Sequence, residues 1–167
     1  MKRCEECGNE FEPRQPHHRL CSDCVRRRLP ERSSSDQRRE TRHLRDFLLD
    51  SYYDEKGNPV KELFIDYAQE LARLFDRDKL SRKQLRNFFG IVTRAKNIAL
   101  LKGLGEARPV LYECQATVES QLNRDAIPRS FAEFMKHHLE LASRSERDLE
   151  GFQKHLNCIL CYFPIRK

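Results

Sequence analysis

A chain of 167 residues has room for one ordinary domain and a small appendage, and with 35% charged against 38% hydrophobic residues its core must come from one-sided helices. There is no tryptophan and no apolar run long enough to span a bilayer, and Met1-Lys2-Arg3 leads into Cys4 without a signal-peptide apolar segment, so a cytoplasmic protein is expected. The formal charge of +6 falls to about +4 if four thiolates hold a zinc ion, so an anionic partner is indicated only where the excess is concentrated.

Residues 1–24 are rich in Cys, Glu, Pro and His and lack a periodic apolar pattern. They hold Cys4-x2-Cys7, thirteen intervening residues, and Cys21-x2-Cys24. Two residues between cysteines let a tight turn bring both sulfurs to one ion, and two such turns complete the tetrahedron that Zn²⁺ prefers. Gly8 stands where that turn needs a positive φ, and Phe11 offers an apolar plug. An odd total of seven cysteines with no export signal argues against a disulfide framework. Cys4, Cys7, Cys21 and Cys24 are therefore the expected ligands of a structural zinc knuckle or ribbon, with His17 and His18 as alternatives for one thiolate. Four thiolates close the coordination sphere and leave no open position for catalysis.

Residues 25–37 carry Arg26-Arg27-Arg28, Pro30 and Ser33-Ser34-Ser35 and read as a basic linker, after which residues 38–167 read as a helical bundle. A first helix is expected over 39–53, with Leu44, Phe47 and Leu48 inward and a turn at Asp54-Glu55-Lys56-Gly57. The clearest period follows: Val60, Leu63, Phe64, Tyr67, Ala68, Leu71, Ala72 and Phe75, with Asn58-Pro59 as N-cap and first-turn residue. Ser81 and Gln84 form a capping box opening a helix that buries Leu85, Phe88, Phe89, Val92 and Ala99. Residues 103–109 should break the chain. Three more helices fit 109–122, 130–142 with a Ser130/Glu133 capping box, and 145–163. The fold class is all-α, an antiparallel bundle of about five to six helices with the small zinc module in front.

Charge concentrates in two places. Residues 26–45 hold eight arginines against three acids, and residues 79–105 hold seven cations and no Asp or Glu. On a helical wheel Lys79, Arg82, Lys83, Arg86 and Arg94 share one flank beside the apolar stripe, while Lys96 falls close to the stripe itself. Arg82 and Lys83 occupy the first turn, where the helix dipole disfavours cations by about 0.3–1 kcal/mol, and a docked phosphate would remove that mismatch. A solvated or acid-paired face is the plainer account of the same charges. The phenylalanines fall on apolar stripes, so contact with a nucleic-acid backbone is expected and not base stacking.

Cys158-x2-Cys161 points away from the Phe152/Leu156/Ile159/Leu160/Phe163 stripe, so that helix end is apolar on both sides and should be buried by its own bundle or by a partner subunit, in preference to forming a second metal site with His155. His138 lies in its helix's apolar stripe and reads as a satisfied core histidine; His137, His43 and His155 have no identifiable partner. Gly103-Leu104-Gly105 lacks the third glycine and the preceding strand of a dinucleotide loop, and no phosphate-loop lysine or nucleophile elbow is present, so no enzymatic activity is expected.

The stretch Glu62-Leu63-Phe64-Ile65-Asp66-Tyr67-Ala68-Gln69-Glu70-Leu71-Ala72, followed by Leu80-Ser81-Arg82-Lys83-Gln84-Leu85-Arg86-Asn87-Phe88-Phe89, resembles the small helical subunit of type III-A CRISPR effector complexes, the Csm small subunit. The resemblance covers about residues 60–163. It implies a noncatalytic subunit of an antiviral ribonucleoprotein, present in several copies beside guide RNA and target RNA, with Arg86 matching the family's signature arginine. Glu113 to Ala116 lack the basic residue the family pattern places one turn after Tyr112, and the zinc module lies outside that pattern. An alternative class is a zinc-containing DNA-binding regulator reading through residues 26–45, and a third is a protein-interaction adaptor.

Overall fold

The computed structural model describes residues 2–5, 7–11 and 44–165. The chain divides into two compact units, Met1–Arg42 and His43–Lys167. The expected linker over 25–37, the start of the helix expected over 39–53, and His43 lie outside the described residues.

In the first unit, strands β1 (Lys2–Arg3) and β2 (Glu10–Phe11) pair antiparallel, with Arg3 opposite Glu10. The second unit begins with a 3-10 turn, Leu44–Phe47, and continues as six helices: α1 (Lys61–Phe64), α2 (Asp66–Arg77), α3 (Arg82–Lys102), α4 (Leu104–Asn123), α5 (Arg129–Ala142) and α6 (Glu146–Tyr162). The all-helical bundle agrees with the sequence pattern. Helix α6 packs against α1, α2, α3 and α5, and α4 closes the remaining side against α3 and α5. The centre is aromatic. Phe75, Phe88, Phe131 and Phe134, from α2, α3 and α5, meet edge-on at ring separations of 5.2–5.3 Å, a geometry that adds about 0.5–1.5 kcal/mol per pair beyond area burial.

Several element boundaries depart from the sequence reading. No helix runs through 48–53; this segment instead docks as an irregular strap. Tyr52 is inserted into the core, with its hydroxyl 2.5 Å from His138 Nδ1, and its ring occupies the space above Gly151, where an added Cβ would come within 2.6 Å of it. Arg147 sits 4.1 Å over the Tyr53 ring and donates to the Gly57 carbonyl, and His137 Nε2 lies 2.9 Å from the Leu49 carbonyl. Aromatic side chains and carbonyls of the strap thus find partners on α5 and α6 that a helix would have denied them.

The helix expected from Asn58-Pro59 onward starts later and bends. Pro59 pairs with Tyr53 in an isolated bridge, Val60 is the N-cap, and Ile65, at φ −116° and ψ −77°, separates α1 from α2. Leu63 and Ala68 are both fully buried although five residues apart, a spacing a straight 3.6-residue helix would not place on one face. The expected break over 103–109 shrinks to one residue. Gly103, with φ +89°, reverses the chain alone, and Pro109 lies inside α4. The carbonyl that Pro109 leaves without its helical donor belongs to exposed Gly105, where water reaches it. The Ser130/Glu133 capping box is absent: Pro128 is the N-cap, and the Ser130 hydroxyl donates instead to Asp78 Oδ2 at 2.6 Å, fastening α5 to the end of α2. Ser145, by contrast, caps α6 through the Asp148 N–H at 3.0 Å.

His138 and His155 are both fully buried, with ring centres 5.4 Å apart, and His138 stacks on Phe152 at an interplanar angle of 9°. His138 is only half satisfied: its Nε2 and both His155 ring nitrogens make no hydrogen bond of ordinary geometry to the described residues. Burial pushes His155 down to about 4 against a small opposing pull from the Leu63 backbone, and holds His138 well below its ordinary value, aided by His155 and His137. A histidine whose folded pKa lies below its unfolded one binds protons first in the unfolded state. Stability should therefore fall as pH drops from about 6.5 toward 4, with His155 alone costing on the order of 2 kcal/mol at pH 5. Thermal unfolding across this range should show the decline, and His155→Leu should make it shallower while His138 keeps the remainder.

Candidate nucleic-acid interface

Helix α3 begins because Ser81 and Gln84 satisfy each other's backbone: the Gln84 N–H donates to Ser81 Oγ at 3.2 Å and the Ser81 N–H donates to Gln84 Oε1 at 2.9 Å. The Gln84 amide also donates to the Ala126 carbonyl, which fixes the helix start against the turn between α4 and α5. Leu85, Phe88, Val92, Ala95 and Ala99 then form the buried stripe. Phe89 is only partly buried, so the expected core list overreaches by one residue. This stripe aims the opposite side of α3 at solvent.

The five expected RNA-contacting residues do not share one environment. Lys79 is exposed in the α2–α3 turn at φ +68°, a left-handed position that costs a side chain about 1 kcal/mol. Arg82 is half-buried, and its Nη1 donates to the Leu160 carbonyl at 3.0 Å and to the Phe163 carbonyl at 2.6 Å. These carbonyls belong to the end of α6, where a helix lacks intrahelical donors. Arg82 therefore caps α6, a role with no sequence signal because the two residues it joins lie about eighty positions away. A cleft of about 500 Å³ beside it is lined by Asp76, Lys79, Leu80 and Pro164.

Lys83 and Arg86 are exposed on the outer face. Arg94 is exposed too, with its Nη2 3.8 Å from Glu113 Oε2 of α4, a surface ion pair worth about 0–1 kcal/mol and open to competition by another anion. Lys96 is half-buried toward α6, as its place near the stripe implied; with Arg147 it adds a minor pull to the Lys154 hydrogen bond and charge that keep Glu150 low. Asn87 and Asn97 also stand exposed on the outer face, polar but uncharged and so without a signal in the charge pattern. No carboxylate interrupts α3 itself.

At the N-terminus, Cys4 is buried and Cys7 exposed in the turn between β1 and β2. The Cys4 N–H donates to the Asn9 carbonyl at 2.9 Å, the Gly8 N–H donates to the Cys4 carbonyl at 3.0 Å, and Gly8 adopts φ +75°, the left-handed conformation its place after the second cysteine required. Cys21, Cys24, His17 and His18 lie outside the described residues. Among the described residues no three potential metal ligands converge. The end of α6 is covered on one side only: Cys158 is half-buried, and Cys161 and Tyr162 are exposed, so its own bundle does not bury the end all round as one of the two expected covers would have done. Among the described residues no helix is long and apolar enough to cross a membrane.

Arg82→Ala should lower global stability by about 1.5–3 kcal/mol, the range for a hydrogen bond involving a charged group. Urea unfolding measures it, and Arg82→Lys should recover only part of the loss because one ammonium reproduces the guanidinium fork poorly.

Residues 58–166, about two thirds of the chain, match the family model described as Csm2 Type III-A. No curated protein and no solved structure matches the chain.

Proposed function

Because the chain belongs to the Csm2 Type III-A family and is thereby a subunit of a type III-A CRISPR effector, we propose that it serves as a noncatalytic RNA-associated subunit that meets the phosphate backbone of guide RNA and target RNA through the outer face of α3. The observation that carries the reading is the carboxylate-free outer face of α3, on which Lys83 and Arg86 are exposed and Arg94 holds only a loose surface pair. Phosphodiester oxygens are the anions such a face suits, since isolated cations on a helix need neither a shaped pocket nor base edges to hold a backbone. Lys79 extends the face at the preceding turn. Arg82, with Nη1 engaged by α6, contributes charge close to the surface and is the least accessible of the five.

Neighbouring effector subunits, including further copies of this chain, are the proposed partners for the apolar surface outside the bundle. Leu100 and Leu101 are 67% and 83% exposed at the end of α3, and Tyr112 is 58% exposed on α4. Isolated exposed leucines are ordinary, but an adjacent exposed pair at a helix end suits a subunit contact, and the exposed Tyr112 further along α4 adds a second apolar point. No described feature favours the DNA-binding regulator: the basic residues 26–42 lie outside the described segment.

Zinc remains our proposal for the N-terminal unit, with Cys4, Cys7, Cys21 and Cys24 as ligands. The Cys4–Gly8 turn suits it, since the glycine conformation and the two backbone hydrogen bonds make a compact corner of the kind that paired thiolates require. Bound there, the ion would supply folding energy and no chemistry.

Lys83→Ala with Arg86→Ala should weaken binding of the full-length protein to single-stranded RNA about tenfold at low salt and reduce the log–log salt slope by about 1.4, without shifting the unfolding transition. Unchanged affinity in a filter-binding titration would remove the RNA assignment. Chelation with EDTA should release about one zinc per chain and increase proteolysis within residues 1–24 while the bundle's melting temperature holds; absence of zinc from the purified protein would remove the metal site.

A further inference from the structure

Gly90 stands exposed in the interior of a 21-residue helix, where glycine is destabilising by roughly 0.5–1 kcal/mol relative to alanine. The ordinary structural reasons for tolerating that cost are absent. Its φ is not in the left-handed region, no bend separates α3 into two parts, and a Cβ built on it would meet nothing within 4 Å. The contrast with Gly151 is direct, because there a Cβ would strike the Tyr52 ring at 2.6 Å, and the fold itself demands glycine.

Its surroundings indicate what the missing side chain makes room for. At 100° per residue, Gly90 points almost directly away from the buried Leu85/Phe88/Val92/Ala95/Ala99 stripe. Lys83, Arg86, Asn87, Arg94 and Asn97 fall within about 60° of it, all exposed. The result is a notch one residue deep, rimmed by cations and amides on both the N-terminal and C-terminal sides. Glu113 reaches the rim only through its loose pair with Arg94. The rim's chemistry selects the occupant: lysine and arginine neutralise phosphate, the asparagine amides donate to phosphate and ribose oxygens, and the glycine lets a strand lie against the helix backbone.

We propose that Gly90 is the close-approach point at which an RNA sugar–phosphate backbone crosses α3, with Lys83 and Arg86 on one side of the crossing and Arg94 on the other. The proposal rests on the RNA reading above and adds to it a crossing position and a steric requirement. The contact is sequence-independent, since glycine offers no side chain to read a base. It requires a strand that lies across the helix near its midpoint, so that displacement by one side chain lifts the backbone away from cations on both sides.

The test uses the full-length protein with Gly90→Ala and Gly90→Gln, each measured for melting temperature and for affinity to a fluorescein-labelled single-stranded RNA and its duplex, beside Lys83→Ala/Arg86→Ala. Both glycine variants should melt higher than the parent, because the helix gains and nothing clashes. RNA affinity should nevertheless fall, about twofold for alanine and more than tenfold for glutamine, equally for RNAs of different sequence. If Gly90→Gln binds RNA like the parent while Lys83→Ala/Arg86→Ala binds weakly, the close approach is overturned and the RNA reading stands; if neither set loses affinity, both are overturned. A glutamine variant that melts lower, or keeps RNA affinity yet fails to enter the reconstituted effector complex, also overturns the proposal, by assigning the notch to the fold or to a protein neighbour.

Discussion

The bundle depends on covering helix α6. Leu149, Phe152, Leu156, Ile159 and Leu160 are buried along it together with Gly151 and His155, so its length is enclosed by α1, α2, α3 and α5 while Lys154, Asn157 and Cys161 keep a narrow exposed strip. A fully buried leucine or phenylalanine gains roughly 1.5–3 kcal/mol, and no other element gathers contributions from so many neighbours. The strap through Tyr52 supplies one flank of that cover, and Arg82 supplies the donors that the end of α6 lacks. Helix α3 is thereby held at its start by Ser81, Gln84 and Arg82 and along its length by its apolar stripe, which presents the opposite face outward as a rigid surface.

What was legible in the sequence follows from how local each signal is. The Ser81/Gln84 box, the left-handed Gly8 and the half-buried Lys96 are decided within one helical turn, and each stands where the pattern put it. Features set by distant residues were not legible. Tyr52 abandons a helix for a slot made by Gly151, Ser130 abandons its cap for Asp78, and Arg82 turns from the surface to carbonyls of α6. In each case a side chain exchanged a local partner of ordinary strength for a tertiary one that is charged, buried or tightly packed. The bend at Ile65 belongs to the same class, since burying both Leu63 and Ala68 outweighs helix continuity.

The candidate site divides along the same line. That α3 is basic and acid-free could be read directly, but its division into accessible and structural cations depends on α6 and α4, which sequence spacing does not place. Lys83, Arg86 and Arg94 remain on the surface, whereas Arg82 spends part of its hydrogen-bonding capacity inside the molecule. Gly90 carries no charge or apolar signal in the sequence, and only the open space around its Cα sets it apart.

The dependence of α1, α2 and α3 on α6 has a consequence for biosynthesis. Residues 61–102 emerge from the ribosome well before residues 129–162, and until then Phe75 and Phe88 lack the Phe131 and Phe134 rings of α5, and α2 and α3 lack the α6 surface they pack on. The nascent chain carries these aromatic groups uncovered until the later helices are made, a window in which sticky intermediates recruit chaperones or one another. Closure of this bundle waits on α5 and α6.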